Sequence, residues 1–208
     1  MRLYYAPGTC SLAPHIVARE AGLAFDLVKV DLATKRTERG DDYRSINPKG
    51  AVPALVLDDG TVLTEAAVVI QYLADRAPEA GLIPTPGGLD RYVAQQWLNY
   101  VATELHKGFT PLWHKETPAE MRRIVKEQLA AKFSFLDQEL ARRAYLAGDS
   151  FGVADAYAFT IFGWAKFMAI DLARWPNLAA YVARIAERPR VLEALIAEGL
   201  VEAEAEAA

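Results

Sequence analysis

Met1-Arg-Leu-Tyr-Tyr-Ala-Pro-Gly-Thr-Cys10-Ser-Leu-Ala-Pro-His-Ile-Val-Ala-Arg-Glu-Ala-Gly22 opens the chain, and its reading decides the fold of the remaining residues. Leu3, Tyr4 and Tyr5 make a short strand and Ala6 to Thr9 a turn punctuated by Pro7 and Gly8. Leu12, Ile16 and Val17 then form the apolar face of a helix that stops at Gly22. The one cysteine of the chain therefore falls where a strand hands over to a helix. Unpaired N–H groups and the positive end of the helix dipole favour an anion there and bias a thiol toward thiolate. A lone cysteine also serves as a small buried hydrophobe, and placement alone leaves both roles open.

Working outward, Phe25-Asp-Leu-Val-Lys-Val-Asp31 alternates, with Val28 and Val30 on one face, and reads as a second strand. Strand, helix, strand is a βαβ unit, whose crossover is expected to be right-handed. Residues 33–46 are polar and weakly periodic, so they are expected to be a surface loop with one short helix near Tyr43. In Asn47-Pro-Lys-Gly-Ala-Val-Pro-Ala-Leu-Val-Leu57, Ala54 to Leu57 form a strand, and Asp58-Asp-Gly60 turns it into Thr61-Val-Leu63. Pro53 stands immediately before a pairing strand, which suits a special turn and a cis Val52–Pro53 bond. Val52 then offers the last free backbone pair at the sheet margin, where an extended peptide can dock by strand addition.

Thr64 reads as the N-cap of a helix ending at Arg76, with Ala66, Val69, Ile70 and Leu73 inward. Three prolines and three glycines between Ala77 and Gly88 mark a linker. The expected division is 1–77, an α+β domain on a mixed four-stranded sheet; 78–88, the linker; 89–201, an all-helical domain; and 202–208, a frayed acidic tail. The helical half is read as 90–113 in one helix or two, then 119–140, 153–168, 177–187 and 191–198. Breakers at Pro111, Pro118, Gly148, Gly152, Pro176 and Pro189 fall near the ends.

With 52% hydrophobic and 24% charged residues the chain reads as an ordinary soluble globular protein. A net charge of −4 provides no basic footprint for nucleic acid. One cysteine excludes an intrachain disulfide and fits a reducing compartment. No stretch approaches the ~18 consecutive apolar residues of a membrane span, and no signal-peptide pattern leads the chain, so a cytoplasmic location is expected. No metal-ligand spacing, GxGxxG or GK[ST] loop occurs, so no metal, dinucleotide or triphosphate site is expected.

A βαβ-ββα half before an all-helical half is the topology of a thioredoxin-like domain with a helical partner. In detail the chain resembles the cytosolic glutathione S-transferases of the bacterial beta class. The likeness rests on Tyr4-Tyr-Ala-Pro-Gly-Thr-Cys-Ser11, Asn47-Pro-Lys-Gly-Ala-Val-Pro-Ala-Leu55, Gln71-Tyr-Leu-Ala-Asp75 and Val153-Ala-Asp-Ala-Tyr157, in that order across nearly the whole length.

The resemblance implies a homodimer that conjugates reduced glutathione to small hydrophobic electrophiles, with no cofactor beyond that co-substrate. It implies that Cys10 is the family's thiol and that Lys35 lies near the glycine carboxylate. Val52 pairs with the tripeptide backbone, Glu65 takes the γ-glutamyl amine, and Ala66 lies beside the γ-glutamyl carboxylate. Asn99, Thr103, Glu104, Leu105 and His106 complete the glutathione site, with His106 catalytic beside Cys10 and part of the run reaching across the dimer. Asn99, Thr103 and His106, at i, i+4 and i+7, form a polar stripe on one face of an α-helix.

Two departures are visible. Ala66 stands where the family usually has serine, which removes a hydroxyl contact worth ~1 kcal/mol. Gly152 stands where a capping Ser or Thr is usual before Asp155, which weakens the capping box. Among the remaining candidates, His15 reads as a packed core or interface histidine, and His114 as an exposed residue at a helix end. Phe109, Trp113 and Trp164, with Tyr157 and Phe167, are candidates for the wall of an apolar acceptor pocket. Tyr5 and Ser11 are noted because other transferase classes activate a tyrosine or serine near this turn. Two other functions stand beside conjugation: thiol–disulfide exchange through Cys10, and a non-catalytic transferase-like scaffold.

Overall fold

The structure is a computed structural model that describes residues 1–202. The described residues form two compact units, Met1–Ala80 with the segment from Ala186, and Gly81–Ile185.

The first unit is built on the order β1 (Arg2–Tyr5), α1 (Leu12–Glu20), β2 (Asp26–Asp31), β3 (Arg36–Thr37), α2 (Tyr43–Ile46), β4 (Ala54–Val56), β5 (Val62–Thr64) and α3 (Ala66–Asp75). The sheet runs β3-β2-β1-β4-β5; β1 and β2 are parallel, with Leu3 opposite Leu27, and the other pairs antiparallel. It therefore has five strands where the sequence suggested four. The added one, β3, is two residues long, too short to leave a periodic pattern. Tyr4, Val28, Val30 and Ala54 pack on one face with Tyr43 and Val52, the Tyr4 and Tyr43 rings 5.6 Å apart. Successive side chains of a strand point to opposite faces, so Leu3 and Leu55 serve the other side.

Thr64 is not the cap of α3. It ends β5, and Glu65 occupies the capping position at φ 68°, ψ 116°. Burial of Ala66, Val69, Ile70 and Leu73 follows the helical period as expected.

In the second unit come α4 (Leu89–Tyr100), a π-helical turn (Val101–His106), α5 (Lys107–Trp113), α6 (Ala119–Leu140), α7 (Val153–Phe162) and α8 (Trp164–Phe167). The expected 153–168 helix is thus broken, at Gly163. All ten residues of α7 are buried, as suits a helix that is apolar on every side. Phe133 lies at its core, 5.6 Å from Phe162 and 5.2 Å from Trp175 between ring centres.

Asp155 ties this unit together. Its carboxylate accepts from Leu146 N–H at 2.9 Å, Gly152 N–H at 2.9 Å and Tyr181 O–H at 2.7 Å. A Cβ on Gly152 would stand 2.8 Å from the Leu82 carbonyl oxygen. The close approach of that backbone, which accepts from Val153 N–H at 2.9 Å, explains the departure to glycine.

After α9 (Pro176–Ala186) comes α10 (Pro189–Ala197), which the sequence pattern assigns to the helical domain. It packs instead on α1 in the first unit. Val191 and Ala194 are buried, and Arg188 clamps Glu20 at 2.7 and 2.9 Å. Helical periodicity shows that α10 has a face to bury; it does not show what covers that face. Of the tail expected to fray, all but Glu202 lies outside the described residues.

Candidate functional site

The turn between β1 and α1 is held by its own side chains. Ser11 Oγ accepts from Ala6 N–H at 3.1 Å, donates to the Ala6 carbonyl at 3.2 Å and meets Thr9 Oγ1 at 2.8 Å. Ser11 is fully buried, so its hydroxyl locks the turn and has no surface to offer a substrate. Tyr5 is buried too, and burial raises its phenol further above its ordinary range. Neither residue is placed to activate a thiol. Cys10, by contrast, is partly exposed. Its sulfur donates to the Val52 carbonyl at 3.2 Å, across 42 residues of sequence. The Val52–Pro53 bond is cis.

The residues around Val52 are fixed by hydrogen bonds to backbone. Asn47 Nδ2 and Tyr43 O–H both donate to the Ala51 carbonyl, at 2.7 and 2.8 Å, and burial pushes the Tyr43 phenol up to about 12. Lys35 has φ 57° and donates from Nζ to the Gly50 carbonyl at 2.8 Å. Glu65 is exposed at the start of α3, in a backbone region that non-glycine residues rarely occupy. Its Oε1 accepts from Lys49 Nζ at 2.7 Å. Ala66 follows, with its side chain buried.

A second network reaches the same turn from the chain's far end. Glu198 accepts at Oε2 from Gly8 N–H at 3.0 Å and at Oε1 from His15 Nδ1 at 2.9 Å. Arg19 Nε donates to His15 Nε2 at 2.8 Å. Arginine can only donate, so Nε2 accepts and the ring proton sits on Nδ1, facing the carboxylate. His15 is fully buried, which agrees with its reading as a core histidine. Its actual job, relaying Arg19 to Glu198, has no local sequence signal.

In the helical unit the polar stripe is not a straight α-helical one, because residues 101–106 form a π-helical turn. Such turns recur at functional sites. Asn99 and Thr103 are exposed, and Thr103 Oγ1 donates to the Asn99 carbonyl at 3.0 Å. Glu104 pairs with Lys132 at 2.9 Å. The Leu105 side chain is fully buried. His106 is half-buried, its Nδ1 2.7 Å from the Tyr157 hydroxyl and its ring 4.9 Å from that of Trp164.

The expected acceptor wall is only partly available. Phe109 is fully buried, 6.2 Å from the Phe133 ring and 5.8 Å from Trp164, so it is core and not wall. Trp164 is also buried, whereas Trp113 and Phe167 are exposed and lie near one another at 6.3 Å between ring centres. Phe167 also lines a groove of about 500 Å³, together with Leu112, Arg122, Lys126 and Met168 among others. Among the described residues no cluster of three His, Cys, Asp or Glu is arranged to hold a metal, and no helix is long and apolar enough to cross a membrane.

Comparison with known proteins gives consistent results. The family model described as "Glutathione S-transferase, N-terminal domain" matches residues 8–76, and that described as "Glutathione S-transferase, C-terminal domain" matches residues 100–189. "Glutathione S-transferase GstA" of Escherichia coli O157:H7 is 50% identical over 200 residues, covering 96% of this chain and all of that one. Among solved structures, "Ternary complex of BphK, a bacterial GST" superposes with a TM-score of 0.94 at 47% identity, over 96% of this chain and all of the other. A sphingomonad glutathione S-transferase solved in complex with glutathione gives a TM-score of 0.94 at 46% identity, over 97% of this chain and all of the other.

Proposed function

The chain belongs to the glutathione S-transferase family, and on that premise we propose that it joins the sulfur of reduced glutathione to electrophilic carbon in small apolar compounds, as a cytoplasmic homodimer engaged in detoxification. The observation that carries this reading is the contact between Cys10 Sγ and the Val52 carbonyl. It sets a thiol beside a backbone position at the sheet margin where an extended tripeptide can pair. The Val52 N–H has no acceptor among the described residues, which leaves a donor for such pairing.

Glutathione carries one amine and two carboxylates. In this reading Glu65 takes the amine, the first N–H groups of α3 at Ala66 take the γ-glutamyl carboxylate, and Lys35 lies near the glycine carboxylate. Asn99, Thr103, Glu104, Leu105 and His106 are the helical unit's contribution. Leu105 offers only backbone, because its side chain is buried. The thiolate of glutathione attacks the electrophile, and donors around the sulfur lower the energy of the anion before transfer. Trp113 and Phe167 remain as exposed aromatic surface for the acceptor.

Exchange through Cys10 is a second reading, favoured by the partial exposure of that thiol beside a fully buried Ser11. The Cys10 thiolate attacks oxidised glutathione, one glutathione leaves as its thiolate, and a mixed disulfide on Cys10 remains until a thiol reductant takes its place. Two assays decide: conjugation of an aryl halide, and intact mass after exposure to oxidised glutathione. Cys10→Ala is expected to abolish the one-tripeptide adduct while retaining part of the conjugation. An alanine variant that binds glutathione yet conjugates nothing makes Cys10 essential to transfer and overturns the division of labour. A wild type that is held on immobilised glutathione but inactive in both assays is a scaffold.

A further inference from the structure

We propose that Lys49 is a recognition residue for the α-carboxylate of the γ-glutamyl group, so that Lys49 and Glu65 together read both charges of an amino-acid head. This rests on the reading that Glu65 receives the γ-glutamyl end of glutathione.

Lys49 Nζ lies 2.7 Å from Glu65 Oε1 and 3.0 Å from Thr64 Oγ1. Both charged side chains of this pair are more than half exposed, at 56% and 67%, so a ligand can reach both. The placement of Lys49 is built into the turn. Lys49 N–H donates to Asn47 Oδ1 at 3.2 Å, Gly50 N–H to the Asn47 carbonyl at 2.8 Å, and Asn47 Nδ2 to the Ala51 carbonyl. Gly50 adopts φ 61° and lies 3.5 Å, from the place a Cβ would take, to the aliphatic stem of Lys35. A residue with a side chain is disfavoured there, and glycine lets the turn bring Lys49 to the end of β5. On the other side, Glu65 is held at φ 68°. A carboxylate and an ammonium are thus presented together at the start of a helix.

An α-amino-acid head carries an ammonium and a carboxylate on the same carbon. Laid against the Lys49–Glu65 pair, it makes four alternating charges, ammonium to Glu65 and carboxylate to Lys49. The bond lost between the protein's two exposed groups is weak in water, and two charge-assisted bonds replace it. Ala66 has no hydroxyl to offer that carboxylate, which leaves Lys49 as the charged side-chain donor beside Glu65.

The test compares glutathione with 4-aminobutyryl-cysteinyl-glycine, which keeps the amine and lacks the α-carboxylate. Binding to the whole protein is measured by titration calorimetry for wild type, Lys49→Met, Lys49→Arg and Glu65→Gln, with melting temperatures to show that each is folded. Lys49→Met is expected to weaken glutathione roughly tenfold, the scale of one partly exposed charge-assisted bond, and to change the analogue less than twofold. Lys49→Arg is expected to restore most of the loss. Equal weakening of both ligands makes Lys49 a general charge or a fold element, and tighter glutathione binding makes it a competitor for Glu65; either result overturns the proposal. If Glu65→Gln weakens glutathione and Lys49→Met does not, Lys49 alone is excluded. If Glu65→Gln also leaves affinity unchanged, the γ-glutamyl end binds elsewhere and the underlying reading falls with it.

Discussion

Asp155 in the helical unit and Glu198 in the sheet unit are both buried carboxylates that accept from backbone N–H groups, yet they are held in different ways. Asp155 collects three donors, Leu146 N–H, Gly152 N–H and the Tyr181 hydroxyl, from residues no more than 26 positions away. Burial is the larger influence on it and pushes its carboxyl up to about 6. Glu198 collects a backbone donor 190 residues distant and a histidine ring 183 residues distant, and that ring accepts in turn from Arg19. Asp155 closes a loop within one unit and can be removed only by unsettling its core. Glu198 secures the turn that presents Cys10, so its removal is expected to reach the chemistry.

Asp155→Ala tests that difference most severely. It strands a buried and a partly buried N–H group and a buried hydroxyl, at an expected cost of about 4 kcal/mol of unfolding free energy, read from urea midpoints. Conjugation per folded molecule should change little. A cost under about 1 kcal/mol would mean that water replaces the carboxylate, and the unit is looser than its packing implies.

Glu198→Ala is expected to cost somewhat less, about 3 kcal/mol, because it removes the acceptor of the Gly8 N–H and breaks the bond to a buried ring. Unlike the Asp155 variant, it should also lower conjugation per folded molecule several-fold, since the Gly8 turn loses a tether two residues before Cys10. If stability falls and activity per folded molecule does not, Glu198 is a folding element like Asp155, and the contrast fails.

The smallest effect concerns pH. A carboxyl raised to about 6 when folded, against an ordinary value near 3.9, binds its proton more tightly in the native state. Its stabilising effect is therefore complete below about pH 4 and is lost as pH rises through about 6. Relative to Asp155→Asn, which does not titrate, the wild type should lose on the order of 2 kcal/mol between pH 4 and pH 7.5. Parallel stability curves for the two proteins would show that the three donors outweigh burial and keep Asp155 ionised throughout.

The backbone setting of the candidate residues was legible because they sit in short strings with strong local grammar. Cys10 follows a Pro-Gly turn, Pro53 precedes a strand, and Glu65 opens an apolar helix. The π-helical turn was not legible, because Val101-Ala-Thr-Glu-Leu-His106 consists of residues an α-helix accepts, and the extra residue per turn is decided by what packs around it. Lys49 carries no local signal of its own, since a lysine in a turn reads as solvated until its partner is known. Phe109 was misplaced as pocket wall because aromatic spacing reports a helical face and not whether that face is covered.

The sequence alone determined what depends on neighbours along the chain: the strand-turn-helix around Cys10, the βαβ order, the helical second half and the family to which the chain belongs. Tertiary structure alone decided what depends on residues far apart in sequence and close in space. The sulfur of Cys10 meets Val52, Glu198 holds Gly8 through a bond spanning 190 positions, and α10 packs on α1. Periodicity states that a surface will be buried and a polar group satisfied. The identity of the partner is set only when loop closure and close packing choose one arrangement for the whole chain.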